Sequence, residues 1–202
     1  MSEPITRPSW DEYFLLLAKL AATRSTCLSR PVGAVIVQNK QVLATGYNGA
    51  IPGGPHCTDE GRCYRRSLSF ANDANKQNYC RSSHAEANAL AQAARRGVAI
   101  DGATMYQTLA PCYTCTKLMA VAGIKRVVFE HEYESLDPER DLMWRRAMED
   151  AGMEVVQVKL SEEAVRQAVS FLAEETSKRR LSKSSDQEIL AEVPRPGESN
   201  VR

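Results

Sequence analysis

Apolar and polar positions along this chain repeat with two periods, and the switches between them mark out its elements. Ser9 with Glu12 forms a capping box that opens a helix running to about Thr23. The runs "VGAVIV" (Val32 to Val37) and "QVLATGY" (Gln41 to Tyr47) predict two strands, joined by a tight turn at Asn39-Lys40. From Asn48 to Ser83 the pattern breaks down and Gly, Pro, Asn and Cys accumulate. A connection of that length inside a compact domain is usually functional or held by something.

Strands and helices then alternate. A helix is predicted from His84 to about Arg96, stopped by Gly97, and a strand from Thr104 to Leu109. Next come a helix from Cys112 to Ala122, stopped by Gly123, and a strand from Arg126 to Glu130. Asp137-Pro138 opens a helix with proline at its first position, and Gly152 closes it. A strand from Glu154 to Leu160 and a helix from Ser161 to about Arg180 complete the series. This order predicts the α/β class: a three-layer α/β/α sandwich around a five-stranded mixed sheet, mostly parallel after the first hairpin. Residues 1–181 are expected to form one domain, and the polar residues 182–202, with little to bury, a disordered tail.

Composition narrows the classes of function. A length of 202 residues suits one domain, and 43% hydrophobic residues supply a core. A formal net charge of +1 gives no basic footprint for nucleic acid, so no nucleic-acid partner is expected. The start "MSEPITRPSWDEY" has no charged-then-apolar secretory pattern, and no apolar run is long enough for a bilayer. The chain is therefore expected to be soluble and cytoplasmic, without a membrane partner. In that compartment its six cysteines point to metal binding or catalysis rather than to disulfides.

Two stretches concentrate chemistry. In "TLAPCYTCTKL" (Thr108 to Leu118), Cys112 and Cys115 stand three apart at a helix start, so both sulfurs face one way. The positive end of the helix dipole favours thiolates there. Such a pair supplies two zinc ligands; a catalytic site needs one more and an open position. In "NYCRSSHAEANAL" (Asn78 to Leu90), His84 opens the preceding helix and is the natural third ligand. Zinc so held lowers the pKa of a bound water toward about 7. Glu86, two residues on, is placed to move protons between water and substrate. Taken singly, His-x-Glu is a common surface pair, and Cys-x-x-Cys a redox motif, half a finger or two buried thiols. In this order, on two helix starts separated by a strand, they make the signature of zinc deaminases.

With "GAVIV", "TGYNGAIPGG", "HC", "SSHAEANAL", "GATMYQTLAPCYTCTKLMAVAGIKRVVF" and Tyr133, these motifs cover most of residues 10–160, and the chain resembles the dCMP deaminase branch of the cytidine/deoxycytidylate deaminase superfamily. The resemblance implies a cytidine deaminase-like fold and hydrolytic deamination of dCMP to dUMP with release of ammonia, feeding thymidylate synthesis. It implies His84, Cys112 and Cys115 as ligands of a catalytic Zn2+, Glu86 as the proton carrier, and Asn48 and Tyr133 as nucleotide contacts. It further implies a homo-oligomer, often a hexamer, and the effectors dCTP and dTTP, with Mg2+ accompanying an effector nucleotide. Arg30, Arg65, Arg66 and Arg81 are the phosphate-binding candidates. Four cysteines remain, Cys27, Cys57, Cys63 and Cys80, the number that a closed thiolate site needs. A second, structural zinc there would order the long irregular segment. Some dCMP deaminases have such a zinc at positions matching Cys27 and Cys57. Against the dCMP reading stand a tRNA adenosine deaminase, a deaminase of cytidine or a related base, and a non-catalytic zinc module. The last would not need Glu86.

Overall fold

The structure is a computed structural model, and it describes residues 7–68, 79–132 and 138–173. Its first helix, α1 (Trp10–Ala22), carries the expected capping box: Ser9 Oγ accepts from the Glu12 amide, and the Glu12 carboxylate accepts from the Ser9 amide. The hairpin β1 (Gly33–Gln38) and β2 (Gln41–Tyr47) turns at Asn39 and Lys40, both at positive φ, the geometry that matches strand twist in a two-residue turn. Then follow β3 (Gly49–Ala50), α2 (Cys57–Glu60), α3 (Tyr64–Ser67), β4 (Ser82–Ser83) and α4 (Ala85–Arg95). The alternating half is β5 (Thr104–Leu109), α5 (Tyr113–Val121), β6 (Arg126–His131), α6 (Pro138–Asp150), β7 (Glu154–Gln157) and α7 (Glu162–Ala173).

Five strands form one sheet in the order β2-β1-β5-β6-β7. The β1 strand runs antiparallel to both neighbours, while β5, β6 and β7 are parallel. The expected mixed five-stranded sheet is present. Side chains alternate across it. Val35, Val37, Tyr106 and Val128 face α1, where they bury Phe14, Leu15 and Ala18. Ala34, Ile36, Met105, Val127 and Phe129 face the other way, against alanines of α4, Met119 of α5, and Trp144 and Met148 of α6. Helices on both faces make the three layers.

Two expectations change. The last strand ends at Gln157, not Leu160, because its ladder with β6 ends at the pair Phe129–Gln157. The segment from Asn48 to Ser83 is not uniformly irregular: β3 and β4 pair antiparallel, and α2 and α3 each make one turn. Such elements are too short for a period to show. By internal contacts the chain divides into units Met1–Val165 and Arg166–Arg202. The domain boundary expected at 181–182 and the end of the last helix lie outside the described residues. Among the described residues, no helix is long and apolar enough to cross a membrane.

Ionic ties fasten α1 to the sheet. Arg126 on β6 holds Asp11 with two nitrogens at 2.9 Å, and the Tyr106 hydroxyl donates to Asp11 at 2.7 Å. The Arg126 hydrogen bonds, set against the cost of burial, hold Asp11 below its ordinary value of 3.8. Glu12 is pushed from 4.5 to about 2, first by the Ser161 hydroxyl and then by the Ser9 amide. Carboxyls lowered on folding stabilise above their ordinary values, and that contribution disappears as pH falls through the lowered ones. The stability advantage of wild type over an Asp11→Asn/Glu12→Gln double variant should therefore be full at pH 7 and shrink between about pH 4.5 and about pH 2. Urea unfolding across that range measures it; a constant difference would show that these carboxylates do not carry the effect.

Candidate active site

His84 and Cys112 each occupy the N-cap of a helix, His84 before α4 and Cys112 before α5. Both have extended backbone, and neither side chain makes a capping hydrogen bond. Ser, Thr, Asn or Asp would satisfy the helix better there. The positions are given instead to residues whose side chains meet each other. His84 Nδ1 lies 3.4 Å from Cys112 Sγ and 3.5 Å from Cys115 Sγ. The three donor atoms all fall within 4.8 Å of one another.

These spacings test the fit of a metal. Zinc bonds of about 2.3 Å to sulfur and about 2.0 Å to nitrogen, at a tetrahedral angle, put sulfur and nitrogen roughly 3.5 Å apart. The observed separations match that edge. Three protein ligands leave a fourth position for a small molecule, the catalytic rather than the closed structural pattern. Among the described residues this is the one grouping of three or more His, Cys, Asp or Glu ligand atoms at such range.

The electrostatics suit the same reading. A hydrogen bond from Cys115 lowers the Cys112 thiol to about 4, so a thiolate forms readily, while that partnership and burial push Cys115 up. Hydrogen bonding to Cys112 raises His84. Glu86, in the first turn of α4, is 4% exposed, and burial first of all raises its carboxyl pKa. A carboxyl that holds a proton more readily is suited to carrying one.

Asn48 is buried beside this region and is heavily committed. Its Oδ1 accepts from the Val32 amide at 2.8 Å and the Ser25 hydroxyl at 2.6 Å, and its Nδ2 donates to the Arg30 carbonyl at 2.8 Å. It pins the chain that enters β1, a structural task which its sequence motif did not reveal. That chain, with α1 and the ends of β5 and β6, borders a cleft of about 510 Å³ lined by Lys19, Arg30, Val32, Thr108, Leu109 and His131 among others. Thr108 and Leu109 belong to the strand that leads toward Cys112, while the metal ligands themselves are not among the residues that line the cleft. The volume is ordinary for a small-molecule site.

The arginine candidates separate. Arg30 lines the cleft. Arg65 is near enough to His84 to oppose its positive charge. Arg81 serves the long loop: it pairs with Glu60 at 2.8 Å, donates to the Pro55 carbonyl at 3.1 Å and stacks over Tyr64 at 3.9 Å. Cys27, Cys57, Cys63 and Cys80 are free, and the structure does not bring three of them together at ligand range. The described parts of the loop have other ties, in the Arg81 clamp, the β3–β4 pair and a 3.1 Å hydrogen bond between Thr26 and His56. Tyr133 lies outside the described residues. Lys19, Glu130 and His131 were not singled out from the sequence.

The model of the cytidine and deoxycytidylate deaminase zinc-binding region matches residues 8–131. The chain belongs to this family, as a zinc-dependent deaminase of the cytidine/deoxycytidylate deaminase superfamily, and the grouping of His84, Cys112 and Cys115 is consistent with its catalytic zinc site. It is 41% identical to ComE operon protein 2 of Bacillus subtilis (strain 168), over 83% of this chain and 82% of that protein. It is 43% identical to the deoxycytidylate deaminase of Mycobacterium phage D29, over 63% of this chain and 99% of that one. The crystal structure of dCMP deaminase from cyanophage S-TIM5 in complex with dCMP and dUMP is similar at a TM-score of 0.59 and 29% identity, covering 76% of this chain and 100% of that one.

Proposed function

We propose that this protein hydrolyses dCMP to dUMP and ammonia. The observation that carries the reading is the open three-ligand site with the buried Glu86 beside it. Relatives named deoxycytidylate deaminase, and a solved one in complex with dCMP and dUMP, support the substrate.

His84, Cys112 and Cys115 would hold the zinc, which when bound supplies an acidified water as the nucleophile. Glu86 does the proton work. It takes a proton from the attacking water, delivers it to ring N3 as the C4–O bond forms, and carries another to the amine as the C4–N bond breaks. One water is consumed and one ammonia released, so the exchange balances without any other reactant. Burial of Glu86 excludes bulk water as a competing proton source. Asn48 uses one amide hydrogen on the Arg30 carbonyl, and its other N–H is the nucleotide contact. Tyr133 is the second nucleotide contact that this reading assigns.

The near-zero net charge favours a free nucleotide over tRNA. Ammonia release and product formation, measured with dCMP, deoxycytidine, dCTP and a tRNA anticodon stem, test the proposal. The kcat/KM for dCMP is expected to exceed that for deoxycytidine by about 10²-fold or more, the size of a charge-assisted phosphate contact. Equal efficiency on the nucleoside, or faster reaction of the tRNA, would reject it.

A further inference from the structure

Gln107 stands inside β5 with its polar atoms unmet. Its side chain is fully buried, and neither Oε1 nor Nε2 has a hydrogen-bond partner. Among the described residues the other buried side-chain atoms in that position belong to Glu60 and Glu130, and those carboxylates lie 3.5 Å from Arg62 and 2.8 Å from Lys19. Gln107 has no such ion pair. An unmet carboxamide in an apolar layer is costly, and methionine would fill the same space without that cost.

The register of the sheet places this carboxamide. Gln107 is flanked by Ala34 on one side and Phe129 on the other, and Ala34 pairs with Gly46. The four residues form one row across the sheet. Tyr106 faces α1, so Gln107 faces the layer of α4 and α5. At the Gly46 end of the row α4 rests on the sheet through the Ala85 carbonyl and the Ala89 amide. Gln107 lies two strand spacings further along at the same level, about 10 Å away. Ala85 and Ala89 point down at the row. Glu86 is turned about 100° round the helix from Ala85, toward α5, where its carboxyl comes within hydrogen-bonding range of Cys115. Glu86 and Gln107 therefore form the roof and the floor of one buried seam between α4 and α5.

A carboxylate that is free to rotate presents either oxygen to the reacting groups, and a proton taken up on the wrong one is misplaced for delivery. A donor fixed to the inner oxygen leaves the outer one as the carrier. We infer that Gln107 is the positioning residue for Glu86: one buried water accepts a hydrogen bond from its Nε2 and donates to the carboxylate oxygen turned away from the reacting centre. Buried waters occur where such otherwise unmet groups face each other. The inference rests on the reading of Glu86 as the proton carrier. It does not depend on which nucleotide is deaminated, because a fully buried Gln107 touches no substrate.

The test combines high-resolution crystallography, kinetics and thermal unfolding of zinc-loaded wild type and Gln107→Met. The wild-type crystal structure should show an ordered water between Gln107 and Glu86. In Gln107→Met that water should be gone, kcat should fall about tenfold, and KM should stay within about twofold. The same factor should appear with dCMP and with deoxycytidine. Zinc content should not change, and Tm should stay at or above that of wild type. A lower Tm with a normal kcat would make Gln107 a packing residue and overturn the inference, as would a kcat within about twofold of wild type. A wild-type structure without that water overturns it even if the variant does not fold. A loss seen with deoxycytidine in a wild type idle on dCMP would reject the dCMP reading and support this one. A Glu86→Gln protein that stays active would remove the proton carrier and this inference together.

Discussion

Glu86→Gln is expected to abolish turnover while the protein keeps its zinc. Glutamine reproduces the shape of glutamate and the packing around a side chain that is 4% exposed. It cannot take a proton from water or return one to the leaving amine. Positioned acid–base groups contribute ~10²–10⁴-fold, and here one group serves both halves of the reaction, so the loss should lie at or beyond the upper end. Metal content should not change, because the three ligand atoms belong to His84, Cys112 and Cys115. Initial rates on dCMP beside elemental analysis of the same sample provide the check. A variant within about tenfold of wild type would remove Glu86 from the mechanism. A variant that loses its zinc would show that the carboxylate supports the metal site rather than the protons.

The chemical core of this site was legible because it is local. His84 and Glu86 share one helical turn, as do Cys112 and Cys115, and each pair begins a helix whose period is plain. The two turns meet because parallel-sheet topology brings successive helix starts to one end of the sheet. The fold was legible for the same reason: strands such as Thr104–Leu109 and helices such as Ala85–Arg95 are long enough for alternation or a 3.6-residue period to appear.

What the sequence concealed is set by distance along the chain. Asp11 meets Arg126 across 115 positions, and no local pattern announces it. The Lys19–Glu130 contact is of the same kind. Lys19 follows an apolar run of α1 and Glu130 an apolar run of β6, which shows that each needs a partner without saying which. Arg81 looked like a phosphate ligand because arginine in a polar loop suits that task; Glu60 and Tyr64 occupy it instead. Asn48 reads as a binding residue in its motif, yet most of its hydrogen-bonding capacity organises the chain entering β1. The two-residue strands β3 and β4 lie below the length at which any period exists.

Gly46→Ala should cost the protein both its stability and its metal. Gly46 lies on β2 opposite Ala34, where α4 crosses the sheet with no side chain between. A Cβ at this position would stand 2.6 Å from the Ala89 amide nitrogen and in direct collision with the Ala85 carbonyl oxygen. Both are backbone atoms of one helix, so no rotamer change relieves the clash and α4 must move bodily. Overpacking typically costs 1–3 kcal/mol where side chains can yield; against rigid backbone about 3 kcal/mol or more is expected. For a chain of this size that lowers Tm by roughly 10 °C. The same helix begins at His84 and carries Glu86 in its first turn. Displacing it from the sheet separates the imidazole from the thiols of α5, and zinc affinity should fall along with the rate. This distinguishes it from Glu86→Gln, which loses rate alone. Thermal unfolding and competitive zinc titration of the two variants separate the cases. A Gly46→Ala protein that melts and binds zinc like wild type would mean that α4 is not held against β2 as closely as the contact requires.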